Sequence, residues 1–307
     1  MTDRAKPGPL EAPADEPARR LAANVEAASL APGLYLVATP IGTARDITLR
    51  ALDVLNSADL LAAEDTRVMR HLMDIHGIPL RGRRILSYHD HNADRQRPAL
   101  ISALEAGKSV AYASDAGTPL VADPGYRLAR EAVETGLPVH AVPGASAALV
   151  ALSLSGLPSD RFLFAGFPPA TRAARASWLR KLMQIEATLI LFESPRRVKQ
   201  TLEELCEIEA NRFTVVAREL TKRFQEVIRG PAAELVQDPR IGSIKGEVVL
   251  VIDRPGETAP DEASVHKALL ARLQHMTVKD AAREVAQEFG LARRDVYQLA
   301  LTLADGN

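Results

Sequence analysis

The 307 residues contain a single cysteine, Cys206. That excludes an internal disulfide and a cysteine-based zinc site, and it suits a reduced, cytoplasmic setting. An excess of either charge is lacking too. Lys and Arg number 38 against 39 Asp and Glu, a net −1, so the molecule as a whole is not a basic nucleic-acid binder and any basic surface must be local. No apolar run approaches the ~20 residues of a membrane span. No Gly-x-Gly-x-x-Gly follows a strand, which leaves a dinucleotide-binding Rossmann site without support. Gly107-Lys108-Ser109 fails as a P-loop: the position five before Gly107 is Ser102, and the order there is helix then strand, the reverse of that motif. Residues 1–32 hold Ala, Pro and mixed charge without the apolar core of a signal peptide, and are expected to be a disordered tail.

What is present is alternation. With 47% hydrophobic and 25% charged residues, the chain suits a soluble globular protein of roughly two domains. Strand-like runs at 33–39, 59–64, 84–88, 109–114 and 138–143 alternate with helix-like spacing, and Gly136 and Gly156 stop two of the helices. This βαβα order predicts a largely parallel sheet covered by helices over 33–156. From 157 to 253 the strands come closer together, which predicts a second α/β domain with a mixed sheet. A linker, "DRPGETAPDE" (253–262), precedes three short predicted helices over 263–307.

Four loops share a property. "TPIG" (39–42), "SDAGTP" (114–119), "PGASAA" (143–148) and "GFPP" (166–169) each follow a predicted strand and are built of small residues. Parallel strand ends gather on one edge, where ligands bind. Small side chains there let a flat ligand reach the backbone, and a helix opening such as "PGASAA" offers free N–H groups. Together they predict a small-molecule cleft. His89-Asp90-His91 could converge two imidazoles, but no third ligand is in view, so no metal is expected.

Eight blocks in order, "LYLVATPIGTARDITLRALDVL", "LLAAEDTRVMRHL", "SDAGTPLVADPG", "VPGASAALVALSLSG", "FLFAGFPP", "LILFESPRR", "VARELTKRFQEVIRG" and "GEVVLVI", span Gly33 to Ile252. They resemble the tetrapyrrole-methylase-like (class III) S-adenosylmethionine methyltransferases, and within them the branch that methylates a cytidine ribose 2′-oxygen of small-subunit ribosomal RNA. The 263–307 helices resemble that branch's helix-turn-helix appendage. The resemblance implies a two-domain tetrapyrrole-methylase-like fold, S-adenosylmethionine between the domains, and a homodimer acting on small-subunit RNA or the assembled subunit. Carried over by position, it implies that Pro40, Asp115, Ala116, Gly117 and Thr118 line the cofactor cleft, with Ser146 and Ala147 in the helix-opening turn. Phe192, Ala217 and Glu247 match its adenine- or ribose-side walls. Tetrapyrrole enzymes of this kind often carry Gly-Asp-Pro where this chain has Ser-Asp-Ala-Gly-Thr-Pro, which points to the ribosomal branch. Asp115 could hold the cofactor's ammonium by a charge-assisted hydrogen bond, and Asp123 is expected to cap a helix.

The substrate side can be read from charge. Between Arg67 and Arg97 stand seven Arg, no Lys and three acids, Asp74, Asp90 and Asp94. Ala170 to Lys181 adds Arg172, Arg175, Arg180 and Lys181 without an acid, and "SPRRVK" adds Arg196, Arg197 and Lys199. Such local positive fields suit phosphates. The candidate RNA contacts are Arg67, Arg83, Arg84, His89, Arg95, Arg97, Arg172, Arg196 and Arg197, with Tyr88 and His89 able to stack on an unpaired base. The polar cluster Glu64-Asp65-Thr66-Arg67 ends a strand. Its bland reading is a helix cap by Asp65. Its functional reading is proton removal from a weakly acidic ribose hydroxyl, for which Glu64, Asp65, Glu219 and Lys222 are the candidates. Two alternatives compete. A small-molecule methyltransferase would not need the basic segments or the C-terminal helices. A non-enzymatic nucleic-acid-binding regulator would not need the four small-residue loops.

Overall fold

A computed structural model of the chain describes residues 29–121, 125–255, 262–289, 291 and 293–305. Most of the expected tail, the expected cap Asp123 and most of the linker lie outside the described residues. The chain divides after Arg254 into two compact units.

The larger unit holds two five-stranded sheets. The first comprises β1 (Gly33–Val37), β2 (Leu60–Ala63), β3 (Ile85–Ser87), β4 (Ser109–Ala113) and β5 (Val139–Val142) in the order β3-β2-β4-β1-β5, every pair parallel. Parallel neighbours need crossovers. These are α1 (Leu49–Ser57), α2 (Thr66–Ile75), α3 (Ala93–Glu105) and α4 (Tyr126–Glu134). Alternate strand residues face opposite layers. Tyr35, Val37 and Leu61 pack with Leu52, Leu55, Met69 and Met73 of α1 and α2. Leu34, Ala62 and Tyr112 pack with Leu100, Leu104 and Leu128 of α3 and α4. α3 carries Pro98 in its interior, a residue that costs a helix ~3 kcal/mol. Its buried Leu100, Ile101 and Leu104 offset that cost.

α5 (Ala147–Ser155) ends at Gly156 in the left-handed conformation, φ 77°, where the sequence predicts a stop. Its Ala148, Ala151 and Leu152 pack with Ile41 against Ile190, Val215, Val249 and Val251 of the second sheet. α5 is therefore the joint between the sheets, which explains why its sequence is apolar nearly all round.

The second sheet comprises β6 (Phe162–Gly166), β7 (Thr188–Glu193), β8 (Phe213–Arg218), β9 (Glu226–Pro231) and β10 (Val248–Ile252) in the order β6-β7-β10-β8-β9. β6 and β7 are parallel, and the other three pairs are antiparallel, so the sheet is mixed. α6 (Arg172–Leu182), α7 (Val198–Ile208) and the short α8 (Ala232–Gln237) and α9 (Pro239–Gly242) cover its far face through Leu179, Leu202, Leu205, Leu235 and Ile241.

The smaller unit is three helices, α10 (Glu262–Leu273), α11 (Val278–Phe289) and α12 (Arg293–Asp305), around Leu269, Ala281, Val285, Val296 and Ala300. The Thr277 hydroxyl accepts the Asp280 N–H at 3.2 Å, capping α11. Among the described residues no helix is long and apolar enough to cross a membrane.

Candidate functional site

Strand polarity decides where the site lies. In the first sheet all carboxyl ends share one edge. In the second, β10 runs against β7 and β8, with Val248 opposite both Glu193 and Arg218. The start of β10 therefore meets the ends of β7 and β8. The two edges border one cavity of about 460 Å³. From the first sheet it is lined by Ile41, Glu64, Asp115, Ala116, Gly117, Thr118, Val121, Ser146 and Ala147. From the second it is lined by Phe167, Phe192, Glu193, Ser194, Pro195, Gly246, Glu247, Val248 and Val249.

The loop after β4 is fixed by short bonds rather than by bulk. Thr39 and Gly117 exchange both backbone hydrogen bonds, at 2.9 and 3.1 Å. The Ser114 hydroxyl donates to the Gly117 carbonyl at 3.1 Å, and the Thr118 hydroxyl donates to the Ala145 carbonyl at 3.0 Å. Asp115 Oδ1 accepts the Asp65 N–H at 2.8 Å, which orients its carboxylate at the cavity wall. Ser146 opens α5 without a side-chain cap, so the first-turn N–H groups there have no hydroxyl partner. Across the cavity, Phe192 lies with its ring edge-on to Phe164 and Phe167, at 4.8 and 5.6 Å between centroids.

The loop after β8 is strained. Glu219 and Thr221 hold φ of 49° and 61°, and left-handed geometry is costly for a β-branched residue. Contacts across the two halves hold it there. The Thr43 N–H donates to Thr221 Oγ1 at 3.2 Å, and the Thr43 hydroxyl donates to the Thr221 carbonyl. Gly246 holds φ 81°, which favours glycine, and a side chain there would lie 2.1 Å from Glu219 Oε1 and force Glu219 to move. Lys222 Nζ donates to Glu219 at 3.1 Å and to Glu247 at 2.9 Å.

The four candidate acid–base residues separate on this geometry. Glu64 lines the cavity. Burial, and next the charge of Asp115, push its carboxyl above the usual range. Asp65 does not line the cavity. It caps α2 by accepting the Arg67 N–H at 2.8 Å, and it pairs with the Arg67 guanidinium at 2.6 Å. Those bonds hold its carboxyl at about 2, so the geometry gives Asp65 the helix-cap role. Glu219 and Lys222 are outside the lining and are committed to each other and to Glu247. The backbone hydrogen bond from Glu247, then Lys222, lowers the Glu219 pKa. Burial works against the Lys222 charge, but its two carboxylate partners outweigh that and raise its pKa.

Of the ten expected cofactor contacts, Asp115, Ala116, Gly117, Thr118, Ser146, Ala147, Phe192 and Glu247 lie on the cavity wall. Pro40 and Ala217 do not. Pro40 is half-buried beside the lining residue Ile41, and Ala217 is wholly buried under α5. Sequence reasoning missed Ile41, Val121, Phe167, Glu193, Ser194, Pro195, Gly246, Val248 and Val249 as wall residues. For Glu193 and Gly246 the missing signal was the antiparallel register of β7 and β10.

The basic candidates divide more sharply. Arg83 points inward: its guanidinium donates to the carbonyls of Leu55 at 3.0 Å and Ala58 at 2.7 Å, closing the end of α1. Tyr88 is wholly buried, edge-on to Tyr112, and cannot meet a base. Arg175 is 2% exposed and doubly bonded to Glu204 at 2.9 and 2.7 Å. Arg67 pairs with Asp65, Arg97 with Asp94 and Glu131, Arg172 with Glu207, and Arg197 with Glu193. The acids that neutralise Arg172 and Arg175 come from α7, which the local count along α6 could not see. Arg84, Arg95 and Arg196 are exposed and make no ion pair among the described residues. His89 is half-buried, with its ring edge 6.0 Å from His91.

Two family models match the chain: Tetrapyrrole (Corrin/Porphyrin) Methylases over residues 33–236, and RsmI C-terminal HTH domain over residues 259–304. A ribosomal RNA small subunit methyltransferase I from Mesorhizobium japonicum is 47% identical over 92% of this chain and 96% of its own length. One from Halalkalibacterium halodurans is 40% identical over 87% and 93%. The fold is also that of a uroporphyrin-III-C-methyltransferase from Thermus thermophilus, with TM-score 0.52 and 22% identity over 73% of this chain and 94% of that one.

Proposed function

This chain belongs to the tetrapyrrole methylase family, and from that premise we propose that it transfers a methyl group from S-adenosylmethionine to small-subunit ribosomal RNA, at the 2′-oxygen of a cytidine ribose. The observation that carries the reading is the cavity, in which a half-buried carboxyl of raised pKa, Glu64, shares a wall with the Asp115 loop. At about 460 Å³ it falls within the ~300–1,000 Å³ of small-molecule sites. Its wall chemistry fits the cofactor. Asp115 offers negative charge to a cationic amino acid part. The uncapped opening of α5 offers N–H groups to a carboxylate. Ile41, Phe167, Phe192 and Val248 offer apolar walls to a flat base. When bound, S-adenosylmethionine supplies an electrophilic methyl group on a positively charged sulfur.

The chain's own residues then have three tasks. The Asp115 loop and α5 fix one reactant, and in-line displacement gains most of its rate from such positioning. The aromatic pair Phe167 and Phe192 gives that wall an apolar face. Glu64 accepts the proton of the ribose hydroxyl as the new C–O bond forms and the carbon–sulfur bond breaks, its electron pair leaving on sulfur; the raised pKa makes Glu64 a better base than an exposed carboxylate. No covalent enzyme intermediate is required. We assign Lys222 a positioning role, holding Glu247 on the wall.

Leu149 and Phe224 are 51% and 63% exposed, apolar surface that a second copy can cover. We place the enzyme in the cytoplasm as a homodimer, which light scattering tests against the 33.2 kDa of one chain. The function is tested with methyl-labelled S-adenosylmethionine offered, in separate reactions, assembled small subunits, free small-subunit RNA and a tetrapyrrole precursor. Label in RNA or subunits is expected. Label only in the tetrapyrrole would overturn the assignment.

A further inference from the structure

A second hollow of about 700 Å³ opens directly beside the cavity, and Pro195 and Gly246 belong to the walls of both. Three separate segments bring cations to it: Arg196 from the turn after β7, Lys199 from the first turn of α7, and Lys245 from the loop before β10. All three side chains are exposed. Ile241 and Ile244 are its apolar members, and Glu203 is its one carboxylate. The neighbouring arginines Arg172, Arg175 and Arg197 are each paired with a glutamate. Arg196, Lys199 and Lys245 make no ion pair among the described residues, although Glu203 is four residues from Lys199 on the same helix. Three unpaired cations against one acid, in a groove that shares Pro195 and Gly246 with the wall of the reaction cavity, form a local positive field on a molecule of net charge −1.

From this we infer that the groove holds the phosphodiester backbone of the RNA next to the nucleotide being methylated, with Arg196, Lys199 and Lys245 on successive phosphates. The inference rests on the RNA methyltransferase reading above and adds a path for the strand: it leaves the cavity between Pro195 and Gly246 and runs along the start of α7. Arg196 suits a bidentate phosphate contact, and the lysines act as movable point charges. Contacts of this kind position a strand and carry no base specificity.

The test is Lys199→Gln with Lys245→Gln in the full chain, a pair that keeps the stems and removes two charges. The KM for small-subunit RNA should rise about tenfold, and the slope of log affinity against log salt should shrink by about 1.4, near 0.7 for each single-strand phosphate no longer neutralised. S-adenosylmethionine affinity, measured by calorimetry, should hold. Lys108→Gln, an exposed change just before β4 at the opposite strand ends, should move neither KM nor slope. An unchanged KM and slope in the double variant, with the parent protein active on RNA, overturns the groove and leaves the methyltransferase reading standing. A parent protein that transfers no methyl group to RNA overturns both.

Discussion

Glu64 and Asp65 are one position apart and have opposite surroundings. Just past the end of β2 the two side chains part, so Glu64 is carried to the cavity wall while Asp65 turns back to cap α2 and grip Arg67. Two carboxylates at a strand end are legible in the sequence. Which of them has the raised pKa is not, because that depends first on burial in a cavity built from both sheets and then on the charge of Asp115, distant in the chain. The difference has a kinetic consequence. Glu64 must be ionised to accept a proton, so the rate should fall as pH drops through its raised pKa. Asp115→Asn keeps an oxygen for the Asp65 N–H but removes the like charge beside Glu64. The acid limb of the rate profile should therefore move to lower pH, while S-adenosylmethionine affinity weakens by roughly 1.5–3 kcal/mol, the range for a charged hydrogen bond. A limb that stays in place would show that Glu64 does not set it. Glu64→Gln should lower kcat by about 10²-fold or more with cofactor affinity retained, and calorimetry with stopped-time assays on one preparation separates the two effects.

At the scale of elements, the succession of strands and helices and the four small-residue loops were legible because each loop follows an apolar run. The parallel first sheet followed from the βαβα rhythm, and the mixed second sheet from shorter connections. The surroundings of single charged residues were less legible. "RGRRIL" reads as a basic stretch, yet alternate residues meet opposite surroundings: Arg83 closes α1 through the Leu55 and Ala58 carbonyls, and Arg84 is exposed. Charge reversal of the pair would mix a folding defect with a binding one. Arg83→Ala should cost roughly 1.5–3 kcal/mol of stability, read as a lower melting temperature, and leave the salt dependence of RNA binding unchanged. Arg84→Glu should do the reverse. Equal effects from the two substitutions would contradict the assignment of Arg83 to the fold.

For the whole molecule, chemistry and its accessory helices separate along the chain. Every residue of the cavity wall precedes β10's third position, and residues 255–307 form a compact unit with a core of their own. The three helices were legible by their spacing. Deleting 255–307 should leave S-adenosylmethionine affinity intact and reduce methylation through a higher KM for RNA. Loss of cofactor affinity in step with activity would instead make the segment a stabiliser of the catalytic unit.

The proposed chemistry comes down to one bond, between the transferred carbon and a ribose oxygen. Alkaline hydrolysis of RNA uses the 2′-oxygen as its nucleophile, so a 2′-O-methyl group protects the linkage that follows it. Small subunits methylated with labelled S-adenosylmethionine should yield their label, after complete alkaline hydrolysis, in a dinucleotide whose first nucleoside is cytidine. Label released in a mononucleotide would place the methyl group on a base and contradict the proposed chemistry.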